Sequence, residues 1–186
     1  PMLTKNLEPS AYGEISLFTA FLGILGALVG INGHSFASRS YYEEDVDDNS
    51  VLVSSGIVLF MSAVIVLLIL SIFSSFWIRI SGLSYLYLII GSVTAIFHFI
   101  NEYRLSRYQV QSRVWYYGLI QVLLAVLGIL LSYLFIRADW PNVNGRIFAI
   151  SSTIIIIGVF SLVSLCLEFS GKFKFDPKVL KDLLFF

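Results

Sequence analysis

Charge is scarce in this chain. Lysine, arginine, aspartate and glutamate make up 13% of its 186 residues, against about 25% in an average soluble domain. Twelve basic residues balance twelve acidic ones, so the sequence offers no electrostatic footprint for a nucleic-acid partner. Cysteine is nearly absent. The single Cys166 excludes an intrachain disulfide and dithiol redox chemistry. The four prolines fall outside the middle of every long apolar run, so the sequence gives no sign of the interrupted helices found in many transporters. There is no Asn-x-Ser/Thr acceptor, and no potassium-filter, HExxH, P-loop, nucleophile-elbow or paired-histidine haem pattern. The sequence therefore assigns no catalytic residue and leaves the cofactor unknown, and no motif points to a family.

What the chain does have is hydrophobe, at 58% of residues. Water would expose that much apolar surface, whereas lipid accepts it. Five runs are long enough to cross a bilayer: residues 15–32, 51–77, 83–100, 114–136 and 147–169. They predict an all-α fold, a polytopic transmembrane bundle of about five spans forming one domain over residues 1–186. The second run, at ~1.5 Å per residue, reaches ~39 Å and exceeds the ~30 Å hydrocarbon core, so it should tilt or project. The short link at residues 79–82 makes runs two and three an antiparallel hairpin, and Asp139-Trp140-Pro141 opens a turn-rich break before run five.

Both ends of the chain carry separate signals. Residues 15–31 resemble the apolar core of a signal peptide, but Lys5 is offset by Glu8 and Glu14 where a basic leader belongs, so the segment reads as the first span. In the tail, residues 172–186, Asp176 can cap a helix that begins at Pro177. Val179, Leu180, Leu183 and Leu184 then share one face, as in a short amphipathic helix at the interface. Basic residues divide unequally between the two membrane sides. Lys5, Arg79, Arg137 and Arg146 face Arg39, Arg104, Arg107, Arg113, Lys172, Lys174, Lys178 and Lys181, which predicts an outside N-terminus and a cytoplasmic C-terminus.

Four groups of residues are candidates for function. Gly23, Gly26, Ala27 and Gly30 form a small-residue ladder in run one, and Gly118, Gln121, Ala125 and Gly128 form another in run four. Small residues let helices approach closely in lipid, so both rows are assigned to helix packing, either within the bundle or against another subunit. Ionisable groups near membrane depth are costly unless paired or wet. His34, His98, Glu102 and Glu168 would gather near one membrane side, and Glu168 shares a face with Ser161 and Ser164. This polar cluster is a candidate metal or proton site. Arg104, Arg107, Arg113 and Trp115, with Lys172 and Lys174, read as a lipid-headgroup belt. The acidic loop, residues 40–50, opens like an EF-hand through Asp45, Asp47 and Asn49, but Ser50 stands at the glycine position and Gly56 at the glutamate position. A solvated loop is the better reading.

With uncharged span centres and no catalytic signature, the expectation is a non-catalytic multi-pass subunit or scaffold of a larger membrane assembly. Its partners would be membrane lipids and other subunits or copies of itself. A small oligomeric channel or transporter is the alternative, resting on Gln121, Ser92 and Thr94, and an interfacial enzyme or metal site is the third reading.

Overall fold

A computed structural model describes residues 9–31, 33–43, 47–137, 142–168 and 175–185. All regular structure among them is helical: α1 (Pro9–Leu28), α2 (Gly33–Ser40), α3 (Asp48–Ile72), α4 (Ser74–Ser81), α5 (Tyr85–Val110), α6 (Val114–Arg137), α7 (Asn142–Glu168) and α8 (Pro177–Leu184). Four of these, α3, α5, α6 and α7, are long and apolar enough to cross a membrane, and α1 with α2 makes a fifth if the bent pair is one span.

The middle of the bundle belongs to α5, which packs on α1, α2, α3, α6 and α7. Half of its most apolar stretch is buried, whereas only 6% of the corresponding stretch of α6 is covered. Residue size explains the difference. Gly91 admits the Phe21 ring of α1 so closely that a Cβ would meet it at 3.1 Å. Phe18, fully buried, sets its edge against Tyr87 with centroids 6.3 Å apart. On the α7 side, Gly158 lets Phe97 approach until a Cβ would fall 2.6 Å from the Phe97 Cβ. Small residues replace side-chain bulk with helix–helix contact, which is the main source of attraction once lipid removes the hydrophobic drive.

The first run does not remain one helix. It stops at Leu28 and restarts at Gly33, with a bend of 47° between the two pieces. Gly30 and Ile31 take left-handed φ values of 81° and 41°. No proline is needed, because glycine adopts that conformation freely and the freed donor is caught: the Gly30 N–H donates to Ser62 Oγ at 2.8 Å, near the middle of α3. Ser62 in turn donates to the Leu59 carbonyl at 3.0 Å. The Phe99 ring occupies the place a Gly30 side chain would take. A broken helix inside the bundle thus exists where the proline pattern announced none.

Other boundaries shift for similar reasons. Run two, expected as one helix over residues 51–77, breaks at Phe73 into α3 and α4. Gly82, at φ 66°, then turns the chain into α5. Run three was expected to end at residue 100, yet α5 continues to Val110, because Asn101, Tyr103, Arg104 and Ser106 are buried against neighbouring helices. The tail forms α8 as expected, with the Asp176 side chain accepting the Lys178 N–H at 2.9 Å. Its apolar face lies on α3, where Val179 and Leu183 are buried, while Leu184 remains exposed.

Candidate functional site

The last three turns of α5 present polar groups to three neighbours at once, and this end of the bundle is the candidate site. Toward α7 the side chains interlock. The Asn101 amide donates to the Ile154 carbonyl at 3.2 Å and its oxygen accepts from Ser161 at 2.8 Å. One turn on, Arg104 donates to both Glu168 oxygens, at 2.5 and 2.9 Å, and to Ser164 Oγ at 2.7 Å. Its guanidinium carbon also lies 4.1 Å from the centre of the Tyr108 ring, a favourable cation–π position. Arg104 is 2% exposed. A buried guanidinium needs a counter-charge and hydrogen-bond acceptors; Glu168 supplies the charge and two of the three acceptor contacts, while the Arg104 Nε has no partner among the described residues. Arg113, half-exposed, adds a second contact to Glu168 at 3.1 Å.

Toward α2 the arrangement is open. His34 and Glu102 line a polar cavity of about 270 Å3 together with Ser35, Ser38, Ser106 and Tyr117. Ser106 donates to the His34 carbonyl at 2.8 Å and is hydrogen-bonded to Ser38 through their hydroxyls. His98, one turn before Glu102, is within electrostatic reach of His34.

Toward α3, Arg107 donates to Asp48 at 3.0 Å, and the hydroxyls of Tyr103 and Ser55 meet beside an apolar cleft of about 610 Å3. The cleft opens sideways between α3 and α7, with Phe99, Ile100 and Tyr103 of α5 as its floor.

These placements revise several sequence readings. The polar cluster divides: His34 and Glu102 line the α2 cavity, with His98 within electrostatic reach of His34, while Glu168 belongs to the α7 seam. Among the described residues no group of three or more His, Cys, Asp or Glu side chains can hold a metal ion. Arg104 does not face lipid headgroups; it is the most buried charge described, and Arg107 is engaged with Asp48. Arg113 and Trp115 do remain on the surface, Trp115 at 88% exposure. Lys172 and Lys174 lie outside the described residues. In the acidic loop Asp45 also lies outside them, and Asp47 is spent capping α3, where it accepts the Asn49 N–H at 3.3 Å.

The small-residue rows split as well. Gly30 is buried in the break under Phe99, and Gly128 faces Thr153 of α7 at ordinary contact distance. Gly26 and Gly118 are half-buried with open space beside them, and Gly23, Ala27, Gln121 and Ala125 are exposed. Ser92 and Thr94, both buried, bond back to their own helix carbonyls, Leu88 and Ile90, at 2.8 and 2.7 Å.

The α5–α7 seam escaped sequence reading, although its signal was present. Positions 101, 104 and 108 repeat the spacing of 161, 164 and 168, three residues then four, on two helices that run in the same direction. Matching polar rows at helical spacing in two apolar runs pair by necessity, because lipid offers them nothing. No protein-family model, characterised protein or solved structure matches this chain.

Proposed function

We propose that the chain is a non-catalytic subunit or scaffold that assembles with another membrane helix through α1. One observation carries this reading: Gly13, Ser16, Ala20, Gly23 and Ala27 follow one another at intervals of three and four, and all are exposed. Beside Gly13 and Gly23 nothing lies within 4 Å of where a Cβ would be. Lipid chains fill such a shallow face poorly, whereas a second helix can approach it closely. The outward face of α6, exposed from Leu119 to Leu134 in Leu119, Val122, Val126, Ile129 and Tyr133, is instead bulky and suits acyl chains. In this reading the chain sits with its N-terminus outside and the α5–α7 polar end on the cytoplasmic side, following the basic-residue bias.

Native mass measurement on particles cut directly from the source membrane tests the proposal. An assembly heavier than the 20.9 kDa chain is expected. Ala20→Leu with Gly23→Leu should reduce the assembled fraction by about tenfold, since losing ~1.4 kcal/mol of close packing suffices. The same pair should leave the thermal stability of the chain within about 2 °C, because it adds bulk only to open space. A chain that stays monomeric in such particles, with nothing co-purifying, removes the proposal.

One feature favours transport as a second reading. The interruption at Gly30, buried under Phe99, is followed immediately along the chain by the α2 cavity with His34 and Glu102. Interrupted helices beside polar cavities are a recurrent way to build solute sites in membranes. Solute flux into liposomes containing the purified chain, abolished by Glu102→Ala, would replace the subunit reading with this one.

A further inference from the structure

Arg104 and Arg146 are set within membrane-crossing helices in very different company. Arg104 is enclosed, and Glu168 meets its charge. Arg146 is half-buried, and no carboxylate among the described residues meets it. It lies four residues into α7, ~6 Å along the axis, and donates to the Ser132 hydroxyl of α6. Ser132 is itself anchored, donating to the Gly128 carbonyl at 2.5 Å, so the guanidinium is held at a fixed place between the two helices. Ser132 takes only one of its amino groups. The remaining nitrogens have no partner among the described residues and, unlike the Nε atoms of Arg104 and Arg107, none of them is enclosed. They are open donors on a charge that the protein leaves unbalanced. Ionisable side chains within a span are almost always paired, because hydrocarbon cannot compensate them.

A groove of about 320 Å3 runs along the α6–α7 contact from Arg146, walled by Leu124, Ala125, Gly128, Ile129, Ile150 and Ile154. Thr153, which also lines it, is spent on the Ala149 carbonyl at 2.7 Å. Arg146 is therefore the one open polar side chain among the lining residues. From Ser132 to Leu124 the α6 wall extends over ~12 Å at helical rise, close to the ~15 Å hydrocarbon depth of one leaflet. Ala125 and Ile129 are exposed, so the groove opens on the flank of the bundle where lipid lies. We infer that this groove seats one acyl chain of an anionic phospholipid, whose phosphate accepts from Arg146. Charge sets the class of lipid. Arg137, exposed at the end of α6, likewise has no acidic partner among the described residues and adds a second positive charge at this end. A lipid with a net negative charge balances them, whereas a zwitterionic lipid brings a cation of its own to the same place. Basic pockets between transmembrane helices recognise anionic headgroups in this way, and arginine–phosphate hydrogen bonds are charge-assisted. This inference is independent of α1, of the assembly proposed above and of the α2 cavity.

Native mass spectrometry of the delipidated full chain in a non-ionic detergent tests it, with dioleoyl phosphatidylglycerol and dioleoyl phosphatidylcholine as matched probes. One phosphatidylglycerol per chain should bind about tenfold more tightly than phosphatidylcholine. Arg146→Gln should bring phosphatidylglycerol down to the phosphatidylcholine level, a loss of about tenfold. Arg79→Gln, which removes an exposed charge on α4 outside the groove, should change nothing. Ala125→Phe fills the groove from an exposed position and leaves the Arg146–Ser132 bond in place. It should weaken phosphatidylglycerol by about threefold or more, through lost apolar contact alone. Soluble glycerol 3-phosphate at millimolar concentration should not displace the lipid, which separates a phospholipid seat from a phosphate site. In lipid-free detergent both groove variants should melt within about 3 °C of the parent. Added phosphatidylglycerol should raise the melting point of the parent but not that of Arg146→Gln. Any of five results overturns the inference: equal affinity for the two lipids, Arg146→Gln that keeps the preference, Arg79→Gln that loses as much, Ala125→Phe that binds like the parent, or glycerol 3-phosphate that displaces the lipid.

Discussion

Glu168→Ala should lower the melting temperature of the chain by about 6–12 °C. The estimate takes ~3 kcal/mol for breaking a buried pair, the low end of the usual range, at ~2–4 °C per kcal/mol for a chain of this size. The low end applies because Glu168 itself is 28% exposed, so part of its own interaction is already screened. The cost falls on Arg104. Removing the carboxylate leaves a guanidinium that is 2% exposed with only Ser164 and the Tyr108 ring, and lipid beyond the helices cannot replace the counter-charge. Arg113→Ala should cost much less, under about 1 kcal/mol, since that arginine is half-exposed and its contact is an ordinary surface pair. The double variant Arg104→Met with Glu168→Met should recover most of the loss, because apolar side chains of similar volume substitute well for buried ion pairs. A melting point unmoved by Glu168→Ala would mean that water already reaches Arg104.

Gly158→Leu should be at least as damaging. Even the first added atom would fall 2.6 Å from Phe97 Cβ, 2.8 Å from its Cδ1 and 3.0 Å from its carbonyl oxygen. A side chain can rotate away, but the carbonyl belongs to the α5 backbone, so the two helices must part. Overpacking of this kind costs ~1–3 kcal/mol. Separation would also stretch the bonds from Asn101 to Ile154 and Ser161, at ~1 kcal/mol each. A melting point reduced by about 6–20 °C, or loss of a monodisperse particle, is expected. Gly118→Leu provides the contrast, with nothing within 4 Å of where its Cβ would be, and should be nearly silent. Equal effects at 118 and 158 would contradict the account of close α5–α7 contact.

The two sites differ in how far the sequence disclosed them. Apolar run length predicted the membrane-crossing helices, because the cost of exposing hydrocarbon to water dominates everything else in those segments. The C-terminal helix was legible for an equally local reason, since Asp176, Pro177 and the spacing of Val179 and Leu183 are all read within eight residues. What stayed hidden depended on partners distant in sequence. Arg104 reads as a headgroup anchor because arginine usually is one at the end of a span, and only Glu168, 64 residues later, makes its burial tolerable. The interruption at Gly30 requires Ser62 to catch a main-chain donor and Phe99 to fill the gap, and neither is visible from the glycine alone. Gly23 and Ala27 on the one hand, and Gly30 on the other, belong to one ladder in sequence. The break turns the first two outward and the third inward. The His34–Glu102 association was foreseen from membrane side and helix face, but joining Glu168 to it was not warranted, since two residues on the same side can still face opposite walls of α5.

The proposal of an assembly through α1 can be put to one direct measurement. A photoreactive benzoylphenylalanine placed at Leu17 or Ile24, both exposed and flanking the small-residue face, leaves that face intact. Irradiated in the native membrane, it should yield a discrete protein adduct heavier than the chain, and the same residue at Val126 or Ile129 on the outer face of α6 should yield lipid adducts alone. Lipid adducts alone from Leu17 and Ile24 as well would contradict the proposal.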